Sequence, residues 1–179
     1  DTPAQYLGRT TNLPQHSGFT YYTWFKITSY EDWLDIFSHE GTAEGDYILA
    51  EANAAGEFQV FARQSFTPLL DVTLWSDSYA GWVFIAVAGD GTGVSVYRRY
   101  ESESTLTLVG SGTAASWTPV SFRIASSALF EEYTNGTCRL AGMAVYGRKL
   151  NSTELLAASG SRTPLSTTSL IWSNGGSAA

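Results

Sequence analysis

Between Phe19 and Ile27 the chain alternates two sets of side chains, Phe19, Tyr21, Thr23, Phe25 and Ile27 against Thr20, Tyr22, Trp24 and Lys26. A period of two puts each set on one face of a strand, so the segment reads as a central strand with one largely apolar face. Residues 57–63 alternate in the same way, with Phe58, Val60 and Ala62 opposing Gln59, Phe61 and Arg63. They follow a turn at 53–56 and so read as the second strand of a hairpin. Residues 82–88 are apolar throughout, as in a strand buried within a core. The glycine-rich turn that follows joins them to 94–100 as antiparallel neighbours. Weaker strand patterns cover 33–37, where a helical turn is the alternative, 47–51, 106–109, 120–124 and 141–146, with Leu170, Ile171 and Trp172 as a terminal strand.

One stretch breaks the strand pattern. Asn151 followed three positions later by Glu154 is a capping-box spacing, and Leu155, Leu156, Ala157 and Ala158 come directly after it. A helix of about two turns is predicted there.

The length of 179 residues with 44% hydrophobic content suits one substantial core, hence a single domain over 1–179. Ten tyrosines, nine phenylalanines and six tryptophans, among many threonines, serines, glycines and valines, favour pleated strands over a helical bundle. The expected fold is all-β, a two-sheet antiparallel sandwich with a short C-terminal helix. A formal charge of −7 argues against nucleic acid as a partner, and Arg98 and Arg99, adjacent on a strand, point to opposite faces. Cys138 stands alone, so no intrachain disulfide framework forms. The longest apolar run, 82–88, is too short to cross a bilayer as a helix, so membrane insertion is not expected. The chain starts without Met, which suggests processing or excision from a larger precursor.

Three segments, FTYYTWFKI at 19–27, GWVFIAVAGDGT at 81–92 and LAGMAVYGRKLNSTEL at 140–155, together resemble the concanavalin A-like lectin/glucanase superfamily, in particular its laminin-G-like members. The resemblance covers most of the chain in order and implies a jelly roll. The first segment would be an early core strand, the second a strand with its following hairpin, and the third the closing strand and short helix. Relatives of this kind bind glycans or proteins, coordinate calcium, or cleave polysaccharides, so the fold leaves the task open. A common family pattern carries paired acids after the glycine of the third segment. Here Met143 and Ala144 follow Gly142, which leaves that calcium role without its ligands.

Catalysis finds little support in the residues. The hydrolase signature of Glu, Asp and Glu at alternating strand positions does not occur. Glu101 and Glu103 would place two carboxylates on one strand face at a hairpin edge, where a solvated acidic edge is the plainer reading. His16, His39, Tyr47, Arg63 and Gln59 supply the chemical types a polysaccharide lyase uses, without a spacing that shows convergence. His39 stands out because Asp35, Glu40 and Glu44 are near it in sequence, although a loop histidine among charges is more often structural. The glycine run at 89–93 lacks the lysine of a phosphate loop. A lone cysteine such as Cys138 is more often buried than reactive.

Calcium takes six to eight oxygens, and Asp32, Asp35, Asp46, Asp71, Asp77 and Asp90 are the donors on offer, none of them in a contiguous calcium loop. Calcium is therefore an optional cofactor and none is required. Sugar recognition needs an aromatic platform beside polar groups. Tyr30, Trp33, Trp75, Tyr79 and Trp117 supply loop or edge aromatics, and Trp75 and Tyr79 bracket Asp77. Packing of that cluster against the sandwich is the competing reading, while Trp24, Trp82 and Phe84 are expected in the core. Asn135 and Asn151 head glycosylation sequons, and Asn151 is also the predicted cap. The expectation is a non-enzymatic recognition module for an extracellular, cell-surface or particle-surface polysaccharide. The alternatives are a structural or protein-interaction domain whose partners are other chains of a surface assembly, and a divergent polysaccharide lyase or glycoside hydrolase.

Overall fold

The alternating segments become the strands of two six-stranded antiparallel sheets in the computed structural model, which describes residues 7–9, 18–29, 34–41, 46–113, 119–124, 137–163 and 170–173. In chain order the elements are β1 (Leu7–Arg9), β2 (Gly18–Ser29), β3 (Leu34–Gly41), β4 (Tyr47–Ala52), β5 (Phe58–Gln64), β6 (Thr67–Trp75) and β7 (Val83–Asp90). They continue with β8 (Gly93–Tyr100), β9 (Thr107–Thr113), β10 (Pro119–Ile124), β11 (Thr137–Tyr146), α1 (Ser152–Ser159) and β12 (Leu170–Ser173). One sheet runs β1-β10-β3-β4-β5-β6 and the other β12-β11-β2-β7-β8-β9. Two antiparallel sheets with one short C-terminal helix are the all-β, jelly-roll class expected from the pattern. The chain divides into two compact units, each centred on one of these sheets.

In the first unit, Ile48, Ala50 and Ala52 of β4, Phe58, Val60 and Ala62 of β5, and Leu70, Val72 and Leu74 of β6 are buried on one face. The opposite face of β5 carries Gln59, Phe61 and Arg63, all half-buried, as the alternation predicts. Strand β6 was not foreseen. Its Leu70, Val72 and Leu74 alternate with exposed Asp71 and Thr73, and it tolerates Pro68 because it lies at the sheet edge, where a missing N–H breaks no ladder. The short β1 was also missed. The candidate strand at 33–37 proves to be β3, running on to Gly41, so His39 lies in a strand opposite Ile48 and not in a loop.

In the second unit β2 is buried on both faces, a correction to the single apolar face expected. Tyr21, Phe25 and Ile27 are buried on one side. On the other, Tyr22 and Trp24 join Phe84, Ala86, Ala144 and Tyr146 in a cluster completed by Leu150, Leu155 and Ala158. That second face is closed by α1 and its flanking segments. Thr20 Oγ1 donates to the carbonyl of Arg148 and accepts from the Leu150 N–H, both at 2.8 Å, pinning the approach to the helix. The helix begins as predicted. Asn151 Oδ1 accepts from the Thr153 and Glu154 N–H groups at 3.0 Å, and Glu154 Oε2 accepts from the Asn151 N–H. At its other end Arg99 of β8 donates to the Ser159 carbonyl at 2.7 Å, bringing a cation to the negative end of the helix dipole. Gly142, at φ +62°, lets the strand pass close beneath residue 162, where a Cβ would meet the Arg162 carbonyl oxygen at 2.5 Å.

Candidate functional site

The aromatic cluster picked out by its sequence sits at one end of the first unit. Trp75 is the last residue of β6, in register with Phe58, and it is 9% exposed. Its ring stacks on Phe58 at 4.6 Å between centroids and 16° between planes, so most of its surface is spent on packing. Tyr79 stands 6.2 Å from Trp75 in a tilted arrangement and remains half-exposed, and Asp77 between them is exposed. The turn at 53–57 meets this one closely. Gly56, at φ +84°, approaches Ser78 so tightly that a Cβ would lie 2.3 Å from Ser78 Oγ. That turn is closed by Asn53, whose Oδ1 accepts the Glu57 N–H at 3.1 Å while its Nδ2 donates to Glu57 Oε2 at 2.9 Å. Tyr79, Asp77, Glu57 and Asn53 therefore share one end of the sheet. Tyr30, Trp33 and Trp117 lie outside the described residues.

A second set of groups is assembled by strand register. Tyr47 of β4 lies opposite Arg63 of β5, Leu49 opposite Phe61, and Glu51 opposite Gln59; Phe61 and Gln59 in turn lie opposite Asp71 and Thr73 of β6. Arg63 is fixed from three sides. Its Nη1 donates to the carbonyls of Leu70 at 2.8 Å and Ala62 at 3.2 Å, its Nη2 pairs with Asp71 Oδ2 at 3.1 Å, and its Cζ lies 5.0 Å from the centre of the Phe61 ring. Tyr47, Phe61, Gln59 and Arg63 are half-buried and Thr73 and Asp71 are exposed. Leu49 and Glu51 of β4 are buried on this face, so its accessible groups, the ring of Phe61, the amide of Gln59, the hydroxyl of Thr73 and the carboxylate of Asp71, lie along β5 and β6, with Tyr47 partly accessible beside Arg63. Three of the five residues weighed for lyase chemistry share this face, Tyr47 opposite Arg63 and Gln59 four residues away along β5, so they do not converge on one point. The described part of His39 is its backbone alone, and His16 lies outside the described residues.

The remaining candidates are placed in structural duties. Asp46 is buried, and its Oδ1 accepts the Ser65 N–H at 2.8 Å. Asp71 pairs with Arg63. Asp90 accepts from the Thr92 and Gly93 N–H groups and pairs with Lys149 at 3.1 Å. Hydrogen bonds from Thr92, with Lys149 beside it, hold its carboxyl well below the usual range. Asp32 lies outside the described residues, and Asp35 is placed in β3 opposite Glu51 by its backbone. Among the described residues no three His, Cys, Asp or Glu side chains gather as a metal site would require.

Glu101 and Glu103 do not share a strand face, because β8 ends at Tyr100. Both carboxylates hold the turn beyond it. Glu101 Oε1 accepts the Trp82 N–H and its Oε2 pairs with Arg162, while Glu103 Oε2 accepts the Tyr100 N–H. Trp24 and Phe84 lie in the core and Trp82 packs at its border, beneath the Arg162 guanidinium at 4.2 Å. Burial pushes the Cys138 thiol up to about 11, away from reactivity. No helix among the described residues is long and apolar enough to cross a membrane.

Sheet order and register define a protein of the all-β, jelly-roll class. The chain belongs to the concanavalin A-like lectin/glucanases superfamily, whose family model matches residues 2–156. No curated protein matches it in sequence. Solved structures share the fold at low identity. The carbohydrate-binding module of family 40 from a Ruminococcus gnavus sialidase, described as bound to α2,6-sialyllactose, is 12% identical with a TM-score of 0.57, over 80% of this chain and 84% of its own. A heptameric SAP-like pentraxin from Limulus polyphemus is 12% identical with a TM-score of 0.60, over 87% and 76%. The LG1-3 region of the laminin α2 chain is 10% identical with a TM-score of 0.56, over 81% and 31%.

Proposed function

We propose that this chain is a non-enzymatic carbohydrate-recognition module for a polysaccharide outside the cell or at a cell or particle surface. The observation that carries this reading is the face of β4, β5 and β6 on which three rows follow one another, Tyr47 opposite Arg63, Phe61 opposite Asp71 and Gln59 opposite Thr73. Aromatic surface takes up the C–H face of a sugar ring, and the neighbouring amide, hydroxyl and carboxylate satisfy its hydroxyls. Tyr79 and Asp77 add contacts at the end of the same unit. The sialyllactose-bound module with this fold supports the reading. The match of one family model across both compact units supports a single domain over 1–179. Asp71, Asp77 and Glu57 border the surface and Arg63 is already paired, so neutral polymers bind ahead of acidic ones.

The test is binding and product release on purified protein, with laminarin, xyloglucan, mannan and dextran as neutral polymers and hyaluronan and polygalacturonate as acidic ones. Each is run with calcium and with chelator. Saturable binding without products is expected. Product formation overturns the non-enzymatic assignment, loss of binding in chelator brings calcium into the site, and absence of binding to every polymer replaces recognition with an assembly role.

A further inference from the structure

The link between β5 and β6 is two residues long, because Gln64 still pairs with Thr67 across it. Those two residues, Ser65 and Phe66, both have positive φ, 48° and 64°. Positive φ at both central positions is the mirror-image hairpin turn whose usual occupants are Asn and Gly. Serine and, above all, a bulky phenylalanine are strained there. The strain is held in place. Asp46, itself 5% exposed, accepts the Ser65 N–H at 2.8 Å, and its own carbonyl accepts from Gly41 at 2.7 Å.

Folding gains little in return. Phe66 is 60% exposed, ahead of Leu108 and Leu156 among the described large hydrophobic residues. A residue that costs strain in the turn and gives little burial points to use outside the fold. Its position gives the use. The row formed by Tyr47, Arg63 and Pro68 ends two residues short of the turn, about 7 Å away by the rise of a strand. The ring stands exposed at the hairpin tip, next to the last row of that face.

We infer that Phe66 is a sugar-contact residue, a fixed aromatic platform for a polysaccharide chain lying along β5 and β6 and crossing the tip. This rests on the carbohydrate-binding reading above. The surroundings favour a sugar over other occupants. Gln64, Ser65 and Thr67 flank Phe66 in the chain and bring an amide and two hydroxyls to the same tip, a composition that matches the single apolar face of a pyranose bordered by hydroxyls. A protein interface centres on a larger contiguous apolar patch. Docking on an anionic lipid surface calls for flanking cations, and the chain carries −7.

Four proteins test it: the parent, Phe66→Ala, Phe66→Trp and the double substitution Ser65→Asn/Phe66→Gly. Each is titrated by calorimetry with the six polymers named above, melted, and sized by light scattering. The expected result is a tenfold or greater loss of affinity in both ringless variants and retention in Phe66→Trp. The double variant should melt at or above the parent temperature, because its residues suit the turn. A purely structural Phe66 would not give higher stability together with lost binding. If the parent binds and the ringless variants bind equally well, this inference falls while the carbohydrate-binding reading stands. If the parent binds none of the six, both fall. If the variants change the oligomeric state and leave affinity alone, Phe66 is a contact between copies and the inference is overturned.

Discussion

Gly142→Ala should be among the most damaging single-methyl changes this chain can suffer. The backbone at 142 lies in the left-handed region, φ +62°, where an L side chain costs about 1–2 kcal/mol. The new Cβ would also stand 2.5, 2.7 and 3.0 Å from the carbonyl oxygen, carbonyl carbon and Cα of Arg162, all backbone atoms, so the 160–163 segment must retreat. That segment covers the tryptophan face. Trp24 Nε1 donates to the Ser161 carbonyl at 3.1 Å, and Arg162 lies over Trp82 at 4.2 Å while pairing with Glu101 at 3.3 Å. Leaving the indole N–H of a residue only 5% exposed without its acceptor adds about 1–2 kcal/mol. Loss of the cation–π contact adds roughly 0.5–1 kcal/mol. Because the segment can relax, a destabilisation of about 3 kcal/mol is expected, a large share of the roughly 5–15 kcal/mol typical of a domain. Urea denaturation followed by tryptophan fluorescence measures it, with an altered folded baseline from Trp24 and Trp82. Gly91→Ala is the control: nothing lies within 4 Å of its Cβ position, so it should stay within about 0.5 kcal/mol of the parent. Equal unfolding midpoints for Gly142→Ala and the parent would refute the reasoning.

Asn151→Ala removes the acceptor of two N–H groups at the start of α1 and should cost about 1 kcal/mol, the site being open enough for water to replace part of the loss; a thermal melt superimposable on the parent would reject the cap. The Arg148 guanidinium, helped by the Asn151 N–H, holds the Glu154 carboxyl at about 2, below its ordinary 4.5. Its contribution is therefore complete above about pH 4.5 and lost as pH falls toward 2. With both partners partly exposed the effect stays below about 1 kcal/mol, and Glu154→Gln should flatten that part of a stability profile measured between pH 6 and 2. Trp75→Ala should destabilise the fold by about 3 kcal/mol or more by removing the stack on Phe58, whereas Tyr79→Ala should weaken polysaccharide binding with little change in Tm. The opposite pattern in paired melts and titrations would exchange their roles.

What could be read from the sequence divides by the range of the interaction responsible. The capping box was legible to the residue because Asn151 and Glu154 are three positions apart and satisfy each other's amides. The hairpins β4–β5 and β7–β8 were legible because their turns are short and their alternation is local. Strand β6 carried the same alternation, but Pro68 reads as a break unless the strand is known to lie at an edge, and edge position is a property of the whole sheet. Glu101 and Glu103 were misplaced for a related reason. Alternation does not reveal that the Glu103 carboxylate takes the Tyr100 N–H and ends the strand there. The candidate surface was hidden in another way. Tyr47, Gln59 and Arg63 were noticed for their chemistry, yet only the pairing of β4 with β5 sets Tyr47 against Arg63, and a shift of one residue would have sent every one of these side chains to the other face. Trp75 shows the same dependence in reverse. Beside Asp77 and Tyr79 it looks like a loop platform, and its register with Phe58 turns most of its ring into packing. Phe66 gave no signal at all, since Ser-Phe is not a turn sequence by preference. Its use of a left-handed turn becomes visible only through the φ angles and the buried Asp46 that holds them. Candidate contacts in this fold depend on register and on such local exceptions, which is why family and fold could be read from the chain while the candidate surface needed the structure.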